Sequence, residues 1–107
     1  MKTLSLNAWE RVMLIRCLPD QAPLSQIPMY VRIIETLRLK EEEQEQVGFQ
    51  LNPEDGSIVI GDTTIESKVE FEDADFSAVV ASANAWEHWP TSPLSRDLSA
   101  KLKEAVK

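Results

Sequence analysis

The chain has 107 residues, of which 43% are apolar, with one cysteine and a formal net charge of −7. This length suits one domain, and we expect residues 1–107 to form a single globular domain. A lone cysteine excludes an internal disulfide, and no apolar run approaches the roughly 18 residues of a membrane span. We therefore expect a cytoplasmic protein with no membrane partner.

The first predicted helix begins at Asn7 and ends near Leu18. Asn7 and Glu10 have the spacing of a capping box, and Pro19 disfavours helical backbone in the residue before it. Apolar side chains cover most of the helix and leave a narrow polar side at Asn7, Glu10 and Arg11. This pattern predicts the central, most buried helix.

A second helix is predicted to begin at Ser25, because Pro28 then lies in its first turn. Its apolar side chains recur at helical spacing and predict one buried face. That face consists of Ile27, Tyr30, Val31, Ile34 and Leu37.

The segment 39–47 reads KEEEQEQV after its leading leucine and predicts a short third helix. Glutamate and glutamine favour helix, acids near the start suit the helix dipole, and Gly48 offers a left-handed stop. We expect this helix to carry a solvated acidic face.

The strands are predicted next in the chain. Residues 49–51 and 57–60 flank the turn sequence NPEDG and predict a hairpin. Residues 65–71 alternate between apolar and charged side chains and predict a third strand, with a bulge if Ser67 faces inward.

Two further helices follow. Asp73 or Asp75 is predicted to cap the first of them, which then runs towards Pro90 with an apolar face. The last helix carries its leucines on one side and Lys101 on the other. The whole pattern predicts an α+β fold of about five helices, with a small antiparallel three-stranded sheet or hairpin in the middle of the chain.

The negative charge is concentrated in the middle of the chain. Residues 41–75 carry twelve acidic side chains and one basic one, a net charge of −11, whereas residues 1–40 carry +3 and residues 76–107 carry +1. This asymmetry favours a basic partner over an acidic one.

Side chains suited to catalysis or metal binding form no recognisable set. Cys17 belongs to the most apolar helix, where a thiol stays protonated and inert. His88 is the only histidine, so no zinc site of histidines and cysteines can be assembled. The three glycines form no phosphate-binding loop. We therefore expect no enzyme, no metal and no cofactor.

Three helices followed by a hairpin is also the order of a winged-helix domain, in which the third helix reads DNA. Phosphate contacts need lysine and arginine on that helix, whereas this one is acidic. We therefore expect no direct binding to duplex DNA.

The first 50 to 70 residues resemble small uncharacterised phage and prophage proteins that share the pattern L-x-x-x-E-R-x-x-L-x-x-L-P. Leu6, Glu10, Arg11 and Leu14 carry the match, together with the pair at 18 and 19. This sequence departs from the pattern by placing Cys17 where leucine is typical and the proline one position later. The resemblance implies a source in viral or mobile-element DNA and implies no activity.

We expect a small non-enzymatic protein-interaction module with an acidic central surface, which either keeps the protein soluble or meets a basic protein partner. Two alternatives stay open: a winged-helix-like regulator that uses cations outside the middle of the chain, and an acidic protein that imitates nucleic acid and inhibits a host nucleic-acid-binding protein. A homodimer also stays open. The candidate partner-binding residues are Glu41, Glu42, Glu43, Glu45, Glu54, Asp55 and Trp89.

Overall fold

The computed structural model describes residues 1–54, 56 and 58–106, which form an α+β fold. The strands are β1 (Lys2–Asn7), β2 (Phe49–Leu51), β3 (Ile58–Ile60) and β4 (Glu66–Phe71). The helices are α1 (Ala8–Cys17), α2 (Ile27–Leu37), α3 (Glu41–Gln46), α4 (Asp73–Ala85) and α5 (Pro93–Val106), with a 3-10 turn at Leu24–Gln26 before α2. No helix in these described ranges is long and apolar enough to cross a membrane.

Strand β1 has no counterpart among the predicted elements. It runs antiparallel to β4, from Lys2 opposite Phe71 to Asn7 opposite Glu66. The alternation of a strand is present in its sequence, because Leu4 is buried while its neighbours Thr3 and Ser5 are exposed. The pairing is continuous along both strands, so β4 contains no bulge.

Two two-stranded sheets replace the predicted three-stranded one. The predicted hairpin is present, with β2 antiparallel to β3 and Phe49 opposite Ile60, but β4 pairs with β1 instead of joining it. Strand β1 offers β4 a six-residue partner with buried leucines, whereas β3 is only three residues long. Gly48 and Gly56 have φ values of +66° and +72°, which favour glycine on either side of β2.

The main core lies between the β1–β4 sheet and helices α1, α2, α4 and α5. Its largest fully buried apolar side chains are Leu6, Leu14, Ile33, Leu37, Leu98 and Val79. A smaller cluster of Ala8, Leu39 and Val47 joins α1 to the segment around α3 and the hairpin. Helix α1 contacts β1, α2, α4 and α5, which confirms its predicted central position.

The capping box of α1 is confirmed. The Glu10 amide donates to Asn7 Oδ1 at 2.8 Å, and the Asn7 amide donates to Glu10 Oε1 at 2.9 Å. The polar side of this helix faces inward, however, since Glu10 and Arg11 are both buried. Oppositely charged side chains from distant elements compensate for their burial, as described below.

Helix α2 is rotated about its axis relative to the predicted orientation. Leu37 is buried as predicted, but Ile27, Val31 and Ile34 are exposed, and Ile33 fills the core instead. Arg32, beside Ile33, pairs with a carboxylate of α4 and so sets which side of α2 faces that helix.

The predicted capping role of Asp73 or Asp75 is wrong. The N-cap of α4 is Glu72, and its side chain makes no capping hydrogen bond. Asp75 is instead buried, and it accepts hydrogen bonds from Arg32 Nε at 2.7 Å and Nη2 at 2.6 Å. This bidentate pair joins α4 to α2.

Candidate functional site

The acidic helix α3 is held in place by one buried arginine of α1. Arg11 Nε donates to the carbonyl oxygen of Leu37 at 3.0 Å, and its Nη2 donates to that of Arg38 at 2.8 Å. Its Nη1 forms an ion pair with Glu43 of α3. One guanidinium therefore joins α1, the end of α2 and α3, in the fork geometry that arginine favours.

Glu43 has a structural role within the predicted binding set. Besides pairing with Arg11, its Oε1 accepts a hydrogen bond from the Lys40 amide at 3.1 Å, and its side chain is 26% exposed. Partial burial opposes ionisation, but the hydrogen bonds from Arg11 and the Lys40 amide outweigh it and lower the pKa of Glu43. Glu43 therefore stays ionised and anchors α3.

The remaining glutamates of α3 point into solvent. Glu41, Glu42 and Glu45 are exposed, and none forms an ion pair within the described part of the chain. On either side of the helix, Leu39 and Val47 are buried in the smaller apolar cluster and hold its ends. We call Glu41, Glu42 and Glu45 the acidic face.

The hairpin turn carries the next predicted residue, Glu54. It is exposed, and its amide donates to Asn52 Oδ1 at 3.0 Å, which orders the turn. Arg16 Nη2 reaches the carbonyl oxygen of Gly56 at 3.1 Å and links the turn to the end of α1. The predicted residue Asp55 lies outside the described residues.

A second charged group ties α5 to the rest of the fold. Lys101 Nζ donates to Glu10 Oε1 at 2.6 Å and to Glu66 Oε2 at 2.8 Å. Partial burial disfavours the ammonium, but the two carboxylates outweigh it and raise the pKa of Lys101. Glu66, one of the acids of the middle third, is therefore used within the fold.

Trp89 lies apart from these charges, on the segment between α4 and α5. It is half-buried, its Nε1 donates to the carbonyl oxygen of Ala83 at 2.8 Å, and its ring stands edge-on to Trp86 with centroids 4.9 Å apart. Both tryptophans line a cavity of about 700 Å³ between α4, residues 86–92 and α5. Trp89 was a predicted site residue. The cavity was not predicted, because it depends on how α4 and α5 pack against each other.

Some of the basic residues available for nucleic acid form ion pairs within the protein. Arg11, Arg32 and Lys101, three of the cations that a winged-helix-like regulator would need, each pair with a carboxylate. Helix α3, the third α-helix in chain order, carries no lysine or arginine. The expectation that the protein does not bind duplex DNA directly stays a prediction.

Cys17 behaves as predicted. Its Sγ is buried and donates to the carbonyl oxygen of Leu14 at 3.0 Å. Burial raises the pKa of the thiol to about 11, so it remains protonated at neutral pH. Within the described residues, no group of three or more histidine, cysteine, aspartate and glutamate side chains is arranged to hold a metal ion.

Comparisons of the chain with protein-family models, with curated proteins and with solved structures found no match. The resemblance of the N-terminal half to small phage and prophage proteins therefore stays a prediction. The residues and their geometry are the basis for the functional inference.

Proposed function

We propose that this protein is a small non-enzymatic interaction module whose acidic face binds a basic surface of another protein. The observation that carries the proposal is the division of roles on α3. Glu43 is tied to the buried Arg11, whereas Glu41, Glu42 and Glu45 have no ion pair in the described structure and face solvent.

A helix as short as α3 is marginal in water by itself. Here Arg11, Leu39 and Val47 fix its position, so its charges are presented on an ordered surface and little further ordering is needed on binding. Complementary charge would then speed encounter and fix orientation.

Glu41 and Glu42 lie in the first turn of α3, where the helix dipole favours an anion, but other effects of the exposed charges are unfavourable in the isolated protein. Glu41 and Glu45 are four residues apart and repel, at a cost of roughly 0.2–0.5 kcal/mol for such a pair. Glu45 also lies towards the helix C-terminus, where the dipole disfavours an anion. A basic partner would relieve both effects, which supports a binding role for this face.

A narrower version of the proposal makes the partner a host nucleic-acid-binding protein, with the acidic face in place of phosphates. The proposed viral or mobile-element source, carried by the sequence resemblance, agrees with this version. The identity of the captured partner distinguishes it from the general version.

The experiment is affinity capture from a lysate of the organism that encodes the protein, followed by mass spectrometry. The wild type is compared with the triple variant Glu41→Gln, Glu42→Gln and Glu45→Gln, because glutamine keeps helix propensity while removing charge. Glu43 is left unchanged, so that the Arg11 anchor stays intact.

A matched control replaces three exposed acids elsewhere, Glu35→Gln, Glu70→Gln and Glu87→Gln, and changes the net charge by the same amount. The proposal predicts a basic partner that is captured by the wild type and the control and lost from the α3 variant. Retention by all three proteins, or equal loss from both variants, would contradict a role for this face.

A further inference from the structure

The cavity between α4 and α5 is a second feature of the molecule, separate from the acidic face. Its volume of about 700 Å³ lies within the range of roughly 300–1,000 Å³ that is typical of small-molecule sites. Its walls include Trp86, Trp89, Leu98 and Leu102. Most of the cavity surface is therefore apolar and suits the apolar part of a ligand.

One polar group beside this cavity has no partner among the described residues. The Oγ of Ser95 is buried, and it makes no hydrogen bond within the described part of the chain. A buried hydroxyl without a partner costs free energy, but this oxygen has almost no accessible surface, so we assign it no contact with a ligand. The Trp89 indole N–H is already bonded to the carbonyl oxygen of Ala83, so the head group of a ligand depends on the charged side chains of the cavity.

The charge at the cavity is opposite to that of the protein as a whole. None of the described residues that line it is acidic, although the chain has 18 acidic side chains and a net charge of −7. Two cations, Arg96 and Lys103, line it from the same helix, seven residues and therefore two turns apart. Within the described residues, the Arg96 guanidinium contacts the exposed Asp97 through Nε and Nη2, both at 3.4 Å, which leaves its Nη1 donors available.

We propose that this cavity binds a small apolar monocarboxylate, such as a medium-chain fatty acid. The hydrocarbon body lies against the two tryptophans and the leucines of α5. The carboxylate lies towards Arg96 and Lys103. The proposal goes beyond the interaction at α3 and does not depend on it.

The test is isothermal titration of the purified protein with dodecanoate, below the concentration at which it forms micelles. Dodecanol and dodecyltrimethylammonium, which keep the chain and change the head group, serve as comparison ligands. We expect dodecanoate to bind at least about tenfold more tightly than either, since the two cations that line the cavity attract its head group.

Two variants locate the site. Ser99→Trp places a bulky side chain on an exposed position of the cavity wall and should abolish binding. Ala100→Trp adds the same side chain next to it, on an exposed position that does not line the cavity, and should bind as the wild type does. The double variant Arg96→Gln and Lys103→Gln should lower the affinity for dodecanoate to that for dodecanol.

Equal affinity for dodecanoate and dodecanol, or equal binding by the Ser99→Trp and Ala100→Trp variants, would overturn the proposal. A change in sedimentation with Ser99→Trp but not with Ala100→Trp, without dodecanoate binding by the wild type, would show instead that the cavity is an interface between copies. None of these outcomes depends on the partner of the acidic face.

Discussion

At the scale of single residues, the polar side of α1 has the largest consequence for the fold. Glu10, only 1% exposed, pairs with Lys101, which is 91 residues away in the sequence, and Arg11 pairs with Glu43, 32 residues away. A charged residue in an otherwise apolar helix indicates that its side chain has an oppositely charged partner if it is buried. Its partner cannot be read from local spacing, because it lies on a different element.

We expect that lysine at position 11 cannot reproduce the stabilisation that arginine provides. Arg11→Lys keeps the charge but loses the fork that satisfies the carbonyl oxygens of Leu37 and Arg38. Leaving buried acceptors without partners should lower the free energy of unfolding by about 2 kcal/mol. Urea unfolding at an unchanged m value measures this loss.

The control is Arg38→Lys, an exposed position on the same junction, which should change the free energy of unfolding by less than about 0.5 kcal/mol. Equal unfolding midpoints for the two variants would show that Arg11 contributes only its charge.

The ion pairs also predict how stability depends on pH. The hydrogen bonds from Arg32 lower the pKa of Asp75 below its ordinary 3.8, and those from Arg11 and the Lys40 amide lower the pKa of Glu43 despite its partial burial. In acid the unfolded state therefore binds more protons than the folded state. The stabilisation is complete above the ordinary carboxyl pKa values and is lost as the pH falls through the lowered ones.

We expect the urea midpoint to fall between about pH 5 and about pH 3, and to fall less in Asp75→Asn, which lacks one of these carboxyls. The control is Asp97→Asn, because Asp97 is an exposed acid. A variant Asp75→Asn with the full acid dependence of the wild type would contradict the assignment.

At the scale of elements, the positions of helices and turns along the chain were easier to predict than the elements that pack or pair with one another in space. The Asn7 capping box, the Gly48 stop and the turn-forming sequence between β2 and β3 are local signals, and the structure contains the capping box, the left-handed Gly48 and the hairpin. The pairing of β4 with β1 joins distant parts of the chain and has no local signal. The alternation in TLSLN was readable, but its short length next to a strong helix start concealed it.

Strand β1 should contribute to stability through one face only. Leu6→Ala removes a fully buried side chain and should lower the free energy of unfolding by about 2–4 kcal/mol. Ser5→Ala changes the exposed face and should alter it by less than about 0.5 kcal/mol. Thermal unfolding of the two variants checks this difference, and similar midpoints would contradict the two-faced strand.

At the scale of the whole molecule, the acidic face and the cavity are formed by different residues. The acids of the middle third divide into structural ones, such as Glu43, Glu66 and Asp75, and exposed ones on α3 and the hairpin turn. The composition predicted an acidic region in the middle of the chain. It could not show which acids are structural and which are exposed, because the cations that pair with the structural acids come from α1, α2 and α5. The cavity beside Trp86 and Trp89 depends on tertiary packing in the same way.

The most direct measurement of the central proposal is the salt dependence of the Kd for the captured partner. We predict that binding by the wild type weakens steeply between about 50 mM and about 300 mM salt, since exposed charges are screened over that range. The variant with Glu41, Glu42 and Glu45 replaced by glutamine should bind weakly at both concentrations, with a much smaller salt effect. Equal Kd values and equal salt dependence for this variant and the wild type would contradict binding through the acidic face.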